Sequence, residues 1–164
     1  MIQSLEHVNQ PVKLSLYGNF SPNDYELKLV NLKGFRKVEY LGWVEHEKVA
    51  ELLKDYDAGI VCLHPIPNYI TALPIKLFEY MAAGLPVIAS NFPLLREIVE
   101  GNNCGLCVNP LKPKQIAGAL KYFIERPEES KKMGENGRKA VLEKYNWENE
   151  NKKLSKLYHD ILKI

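Results

Sequence analysis

Lys76 and Glu79 stand one helical turn apart in the segment LPIKLFEYMAAG (73–84). Their spacing puts an ammonium and a carboxylate on one helix face. The segment predicts a helix from Pro74 to Ala83, closed by Gly84. Pro74 suits the first helical position, and Leu73 before it has no side chain that can cap. The N–H groups of Ile75, Lys76 and Leu77 then lack a side-chain acceptor, which makes an anion site. The helix dipole disfavours Lys76 in this first turn unless an anion such as a phosphate sits beside it. Glu79, one turn on, could accept hydrogen bonds from both hydroxyls of a ribose, a device that dinucleotide folds use. The plainer alternative is a surface ion pair between Lys76 and Glu79, with water satisfying the N–H groups. From the residues alone both readings stand. Tyr80 and Met81 fall on another face of the helix and read as core.

These residues need a scaffold that carries them at a ligand-binding edge. Strand signals occur at VKLSLYG (12–18), VEYLG (38–42), AGIVCL (58–63), PVIAS (86–90) and GLCV (105–108). Helical patterns lie between them: Asp24 to Lys33, a repeat through Val49, Leu52, Leu53 and Tyr56, the Pro74 helix, Leu94 to Glu100, and a stripe of Ile116, Leu120, Phe123 and Ile124. Two further helices, roughly 128–144 and 147–163, close the chain. Trp147, Leu154, Leu157, Tyr158 and Ile161 form the apolar stripe of the last. Alternating strands and helices predict a doubly wound α/β fold with a parallel, Rossmann-like sheet and a helical C-terminal tail. Such sheets bind ligands beyond the carboxyl ends of their strands. His64 ends a buried strand at that edge, where it could hydrogen-bond a donor or phosphate or equally be a loop histidine without function, and it opens a loop of about ten residues, long for a strand-to-helix connection. Gly18 follows the first strand as a phosphate-loop glycine would, although no G-x-G-x-x-G accompanies it. His7, His46 and His159 have no partner by spacing, and the plain account of His46 is a residue at a helix start. Arg96 and Glu97 read as a solvated helix face.

Composition removes other classes. The chain has 164 residues, 46% hydrophobic and 26% charged, as in an ordinary globular domain. A net charge of +2 gives no field for nucleic acid or a membrane surface. No apolar run approaches the ~20 residues of a membrane span. MIQSLEHVNQ lacks the basic start and apolar stretch of a signal peptide. Three cysteines, Cys62, Cys104 and Cys107, favour a reducing, cytoplasmic setting over a disulfide framework. Cys104 and Cys107 have redox-motif spacing, but a strand ending in Val-Asn-Pro follows where a helix should open. A zinc site would need two more ligands, and no second pair offers them. Two small residues entering a buried strand is the plainer account, and no metal is expected. Asp57 starts its strand where a receiver domain needs an acid at a strand end.

The run PIKLFEYMAAGLPVIAS, followed by FPLLREIVE and GLCV, resembles the donor-binding half of nucleotide-sugar glycosyltransferases of the GT-B fold, most closely family 4. VEYLGWV, DAGIVCL and YNWE flank it in the family's order, so the resemblance spans essentially the whole chain. It implies that Glu79 holds the ribose, that the helix start from Ile75 through Lys76 and Leu77 to Phe78 faces the diphosphate, and that Gly42, Trp43 and Val44 line the base pocket. Lys76 and Glu79 are the residues expected to serve transfer directly. Where the family often carries an earlier glutamate eight positions before the ribose one, this sequence has Thr71. The expected reaction moves a sugar from a UDP- or GDP-linked donor to an acceptor hydroxyl of a glycan or lipid-linked sugar, without a further cofactor. The resemblance also implies a missing N-terminal acceptor domain, residual helix at MIQSLEHV, no turnover by this chain alone, weak homodimers through the uncovered seam, and attachment at the inner membrane through that other domain. A non-catalytic nucleotide-binding module and a GT-B nucleotide-sugar epimerase are the alternatives.

Overall fold

A computed structural model of the chain describes residues 1–20 and 25–162. Its strands are β1 (Leu14–Tyr17), β2 (Val38–Gly42), β3 (Gly59–Val61), β4 (Val87–Ser90) and β5 (Gly105–Val108). Its α-helices are α1 (Tyr25–Val30), α2 (His46–Leu52), α3 (Pro67–Ile70), α4 (Ile75–Ala82), α5 (Pro93–Val99), α6 (Pro113–Glu125), α7 (Pro127–Glu143) and α8 (Trp147–Leu162). Asp24, where the first helix is expected to start, and residue 163, where the last is expected to end, lie outside the described residues.

All strand pairs are parallel, as the alternation predicts. Two sheets form rather than the single one expected: β1 with β2, and β3-β4-β5 with β4 central. The two sheets share a core, since Leu14 and Val38 pack on the same apolar cluster as Ile60 and Cys62. β4 shows how strand periodicity builds the layers. Val87 and Ala89 face a cluster with Leu77 and Met81 of α4, Leu95 of α5 and Ala140 of α7. Ile88 between them faces the opposite cluster, with Ile116, Leu120 and Phe123 of α6 and with Leu5 and Val8. Helices therefore cover both faces, which makes the fold Rossmann-like. β4 is buried along its whole length, so it reads as an unbroken apolar run.

Several local departures have physical causes. MIQSLEHV forms a 3-10 helix (Ile2–His7), whose Ile2 and Leu5 are buried. It packs against Gly34, whose added Cβ would lie 2.1 Å from the Ile2 carbonyl oxygen. β3 stops at Val61, short of the run to Leu63. Beyond it, the Ser90 hydroxyl accepts a hydrogen bond from the Leu63 N–H (2.7 Å) and donates one to the Leu63 carbonyl (2.8 Å). A side chain thus takes the place of ladder bonds at the carboxyl end of the sheet. α7 keeps Gly134 and Gly137 in its interior at a cost in helix propensity. A Cβ on Gly134 would lie 1.9 Å from the Gly84 carbonyl oxygen, and one on Gly137 3.2 Å from the Cys104 Cβ. These small residues let α7 seat against the end of α4. At the next corner Asn146 caps α8, accepting from the Asn149 N–H at 2.9 Å.

Candidate functional site

α4 begins one residue later than expected. Pro67, Pro93, Pro113 and Pro127 open their helices at the first positions, as proline should. Pro74 instead stands at the N-cap with extended backbone (ψ 130°), and Ile75 is the first helical residue. Proline fixes φ but not ψ, so both places suit it. The shift changes the anion site. The Leu77 N–H donates to the Pro74 carbonyl at 3.0 Å, which corrects the expectation that three amides are free. No side chain caps the helix start, and the Ile75 and Lys76 amides remain there with Lys76 exposed. Leu77 is fully buried, and Phe78 packs against Tyr145 with ring centroids 5.4 Å apart. Their side chains therefore belong to the core rather than to a diphosphate face. Tyr80 and Met81 are core as expected: Met81 is fully buried, and the Tyr80 ring fills the space a Cβ on Gly59 would need.

Glu79 is half-buried, and its partner is His46 rather than Lys76. The Glu79 carboxylate Oε1 and the His46 Nε2 are 2.9 Å apart. His46 is the first residue of α2 and follows the β2 end through Gly42, Trp43 and Val44. The contact bridges 33 residues of chain, and nothing in local spacing announces it. It overturns the expectation that His46 has no partner, and it ties the loop beyond β2 to α4.

The glycines at the strand ends are joined to each other. Gly18 (φ 116°) and Gly42 (φ 70°) both take the left-handed backbone that favours glycine. The Gly18 N–H donates to the Gly42 carbonyl at 2.7 Å. The Tyr40 hydroxyl donates to the Gly18 carbonyl at 2.9 Å. Trp43 is exposed and Val44 half-buried at the same edge. His64 is exposed, and its carbonyl accepts from the Ile66 N–H at 2.8 Å. Among the described residues no side-chain hydrogen bond joins it to the other candidates. The loop that follows contains the single turn of α3, and Thr71 lies exposed at its end.

The Cys104 and Cys107 thiols are shifted away from the reactive thiolate form. Burial pushes the Cys104 thiol up to about 11 and the Cys107 thiol up to about 12. A reactive thiol needs the opposite shift. Among the described residues no cluster of His, Cys, Asp and Glu could hold a metal ion. Arg96 is the solvated residue expected, paired with Glu100 at 3.5 Å and hydrogen-bonded to Asn91. Two site-shaping residues escaped the sequence reading. Ser90 had no visible signal beyond its place at a strand end, and His46 had only its position after a GWV turn.

The family model for glycosyl transferases group 1 matches residues 1–140. The chain belongs to that family. It is 31% identical over 147 residues to an uncharacterized glycosyltransferase of Methanocaldococcus jannaschii, covering 89% of this chain and 36% of the relative. It is 27% identical over 143 residues to an MMP alpha-(1->4)-mannosyltransferase of Mycolicibacterium hassiacum, covering 86% of this chain and 34% of the relative. Anabaena HepE, solved in complex with UDP, superimposes with a TM-score of 0.84 at 17% identity, covering 97% of this chain and 44% of that one. At that identity the likeness is one of fold alone. The chain spans about a third of the length of the curated relatives it matches.

Proposed function

We propose that this chain is the donor-binding half of a family 4 glycosyltransferase, and that the site at the start of α4 takes a nucleoside diphosphate sugar. The observation that carries this reading is Glu79, a half-buried carboxylate fixed by His46 where the loop beyond β2 meets α4. On this reading the ribose diol bonds Glu79, and the base lies along Gly42, Trp43 and Val44. The diphosphate meets the Ile75 and Lys76 amides and the Lys76 ammonium. Leu77 and Phe78 serve by anchoring α4 in the core. Gly18 shapes the edge through its bond to Gly42, and His64 flanks the sugar side. That a UDP complex exists for a protein of this fold supports the choice of ligand class.

The protein's part in the reaction is electrostatic. As the glycosidic bond breaks, negative charge grows on the leaving diphosphate. Amide dipoles and an ammonium already aimed there stabilise it without reorganising. Lys76 is the residue of this chain that meets that charge. The acceptor, a glycan or lipid-linked sugar, would be held by an N-terminal domain of the same protein, which would also carry it to the cytoplasmic face of the inner membrane. On this reading the chain alone binds donor but turns nothing over, and transfer needs no metal or further cofactor.

Trp43 offers the test. The sequence has two tryptophans, and Trp147 is 70% exposed, so Trp147→Phe leaves Trp43 as sole reporter without a core cavity. Titration with uridine and guanosine diphosphates should change its fluorescence and saturate near millimolar, on the order of −4 kcal/mol. Fluorescence that does not respond to either nucleotide at ten millimolar would remove the reading.

A further inference from the structure

We infer that His46 is a positioning residue for donor recognition: it holds the Glu79 carboxylate in the orientation that reads the ribose hydroxyls. This rests on the reading of Glu79 proposed above and adds to it a residue from a different part of the chain.

A glutamate side chain has three rotatable bonds, and nothing in α4 itself fixes the carboxylate of Glu79. The neighbour with the strongest local pull is Lys76, at i−3 on the same helix face. A carboxylate drawn to Lys76 would turn toward the helix start and neutralise the ammonium needed by a phosphate. The contact with His46 Nε2 at 2.9 Å prevents that. It occupies Oε1, leaves Oε2 for a ligand hydroxyl, and keeps Lys76 out of the pair. His46 begins α2 two residues after Val44, and Gly42 before it is tied to Gly18 through a 2.7 Å hydrogen bond. The base-side loop and the ribose carboxylate are therefore set relative to one another by one side-chain contact.

The His46 side chain is 81% exposed. Replacing it opens no cavity, so a loss of recognition cannot be blamed on misfolding. A purely structural role would weaken every ligand alike, whereas a positioning role is felt only by ligands that use the ribose hydroxyls. The experiment is calorimetric titration of this chain with uridine diphosphate and with its 2′,3′-dideoxy analogue, which lacks both ribose hydroxyls. Wild type should prefer the ribonucleotide by about tenfold. Glu79→Gln should abolish that preference. His46→Ala should cut it at least threefold while leaving the affinity for the 2′,3′-dideoxy analogue unchanged, and His46→Gln, whose amide nitrogen can donate from a similar reach, should restore most of it. If Glu79→Gln abolishes the preference but His46→Ala keeps it, the role of His46 is wrong and the site reading stands. Equal weakening of both nucleotides by His46→Ala, or no rescue by His46→Gln, likewise overturns the role. If wild type shows no preference, the reading of Glu79 fails and His46 falls with it.

Discussion

Ser90 should be worth more to stability than a serine usually is. It is fully buried at the carboxyl end of β4 and makes two hydrogen bonds to one residue, Leu63. Ser90→Ala leaves both the N–H and the carbonyl of Leu63 without their partner. A buried group left unsatisfied costs about 1–3 kcal/mol. Leu63 is only half-buried, so water can reach part of the gap, and the lower end applies to each group. The two together come to about 2 kcal/mol. For a chain of this size that lowers Tm by roughly 4–8 °C. Urea melts followed by circular dichroism should show a lower midpoint at unchanged slope, since the surface exposed on unfolding is the same. Amide exchange should speed up most at Leu63 and His64, because the bonds hold the loop to the sheet. A Tm within 1 °C of wild type, or protection lost evenly through the domain, would refute the argument.

Gly134→Ala should destabilise by about 1–3 kcal/mol or more by forcing α7 off the Gly84 carbonyl, whereas Gly118→Ala, with nothing within 4 Å of the added Cβ, should stabilise α6 by up to about 1 kcal/mol; thermal melts of the two variants should move in opposite directions. The thiols of Cys62, Cys104 and Cys107 are pushed up to about 11, 11 and 12 by burial. Above the unfolded value of about 8.5 only the unfolded chain releases these protons. Stability contributed by burying neutral thiols is thus complete below about pH 8.5 and is lost as pH rises toward 11. Iodoacetamide labelling at pH 7.5 should be slow in the native protein and fast in urea. α8 exposes Trp147, Leu157, Tyr158 and Ile161, so weak dimers should appear in light scattering at high concentration and vanish in Leu157→Lys; monomers throughout would count against that surface.

Legibility in the sequence differed by element. β4 and β5 could be read to within a residue, because strands buried on both faces announce themselves as short apolar runs. α6 and α8 carry stripes wide enough to read, although α8 keeps its stripe exposed. The end of β3 was hidden, because CysLeu continues the apolar run while a serine 27 residues away captures its backbone. The N-terminus of α4 was misplaced by one residue because proline tolerates both cap and first-turn ψ. The division into two sheets has no local sequence signal at all. For the site, Lys76 and Glu79 were visible through their spacing, and the family through a run of motifs. The His46 contact was not visible. It depends on how the loop beyond β2 folds toward α4, which is a matter of tertiary structure. The glycines of α7 could only be explained once the Gly84 carbonyl was seen beneath them.

If the start of α4 and Glu79 form a nucleoside diphosphate site, a titrated nucleotide must perturb both. The most direct measurement is amide chemical-shift mapping of the chain during titration with uridine and guanosine diphosphates. The shifted amides should cluster at 42–46 and 74–80, and Glu79→Gln should weaken binding tenfold or more, as loss of a charge-assisted hydrogen bond of about 1.5–3 kcal/mol requires. Shifts centred elsewhere in the chain, or binding unchanged in Glu79→Gln, would contradict it.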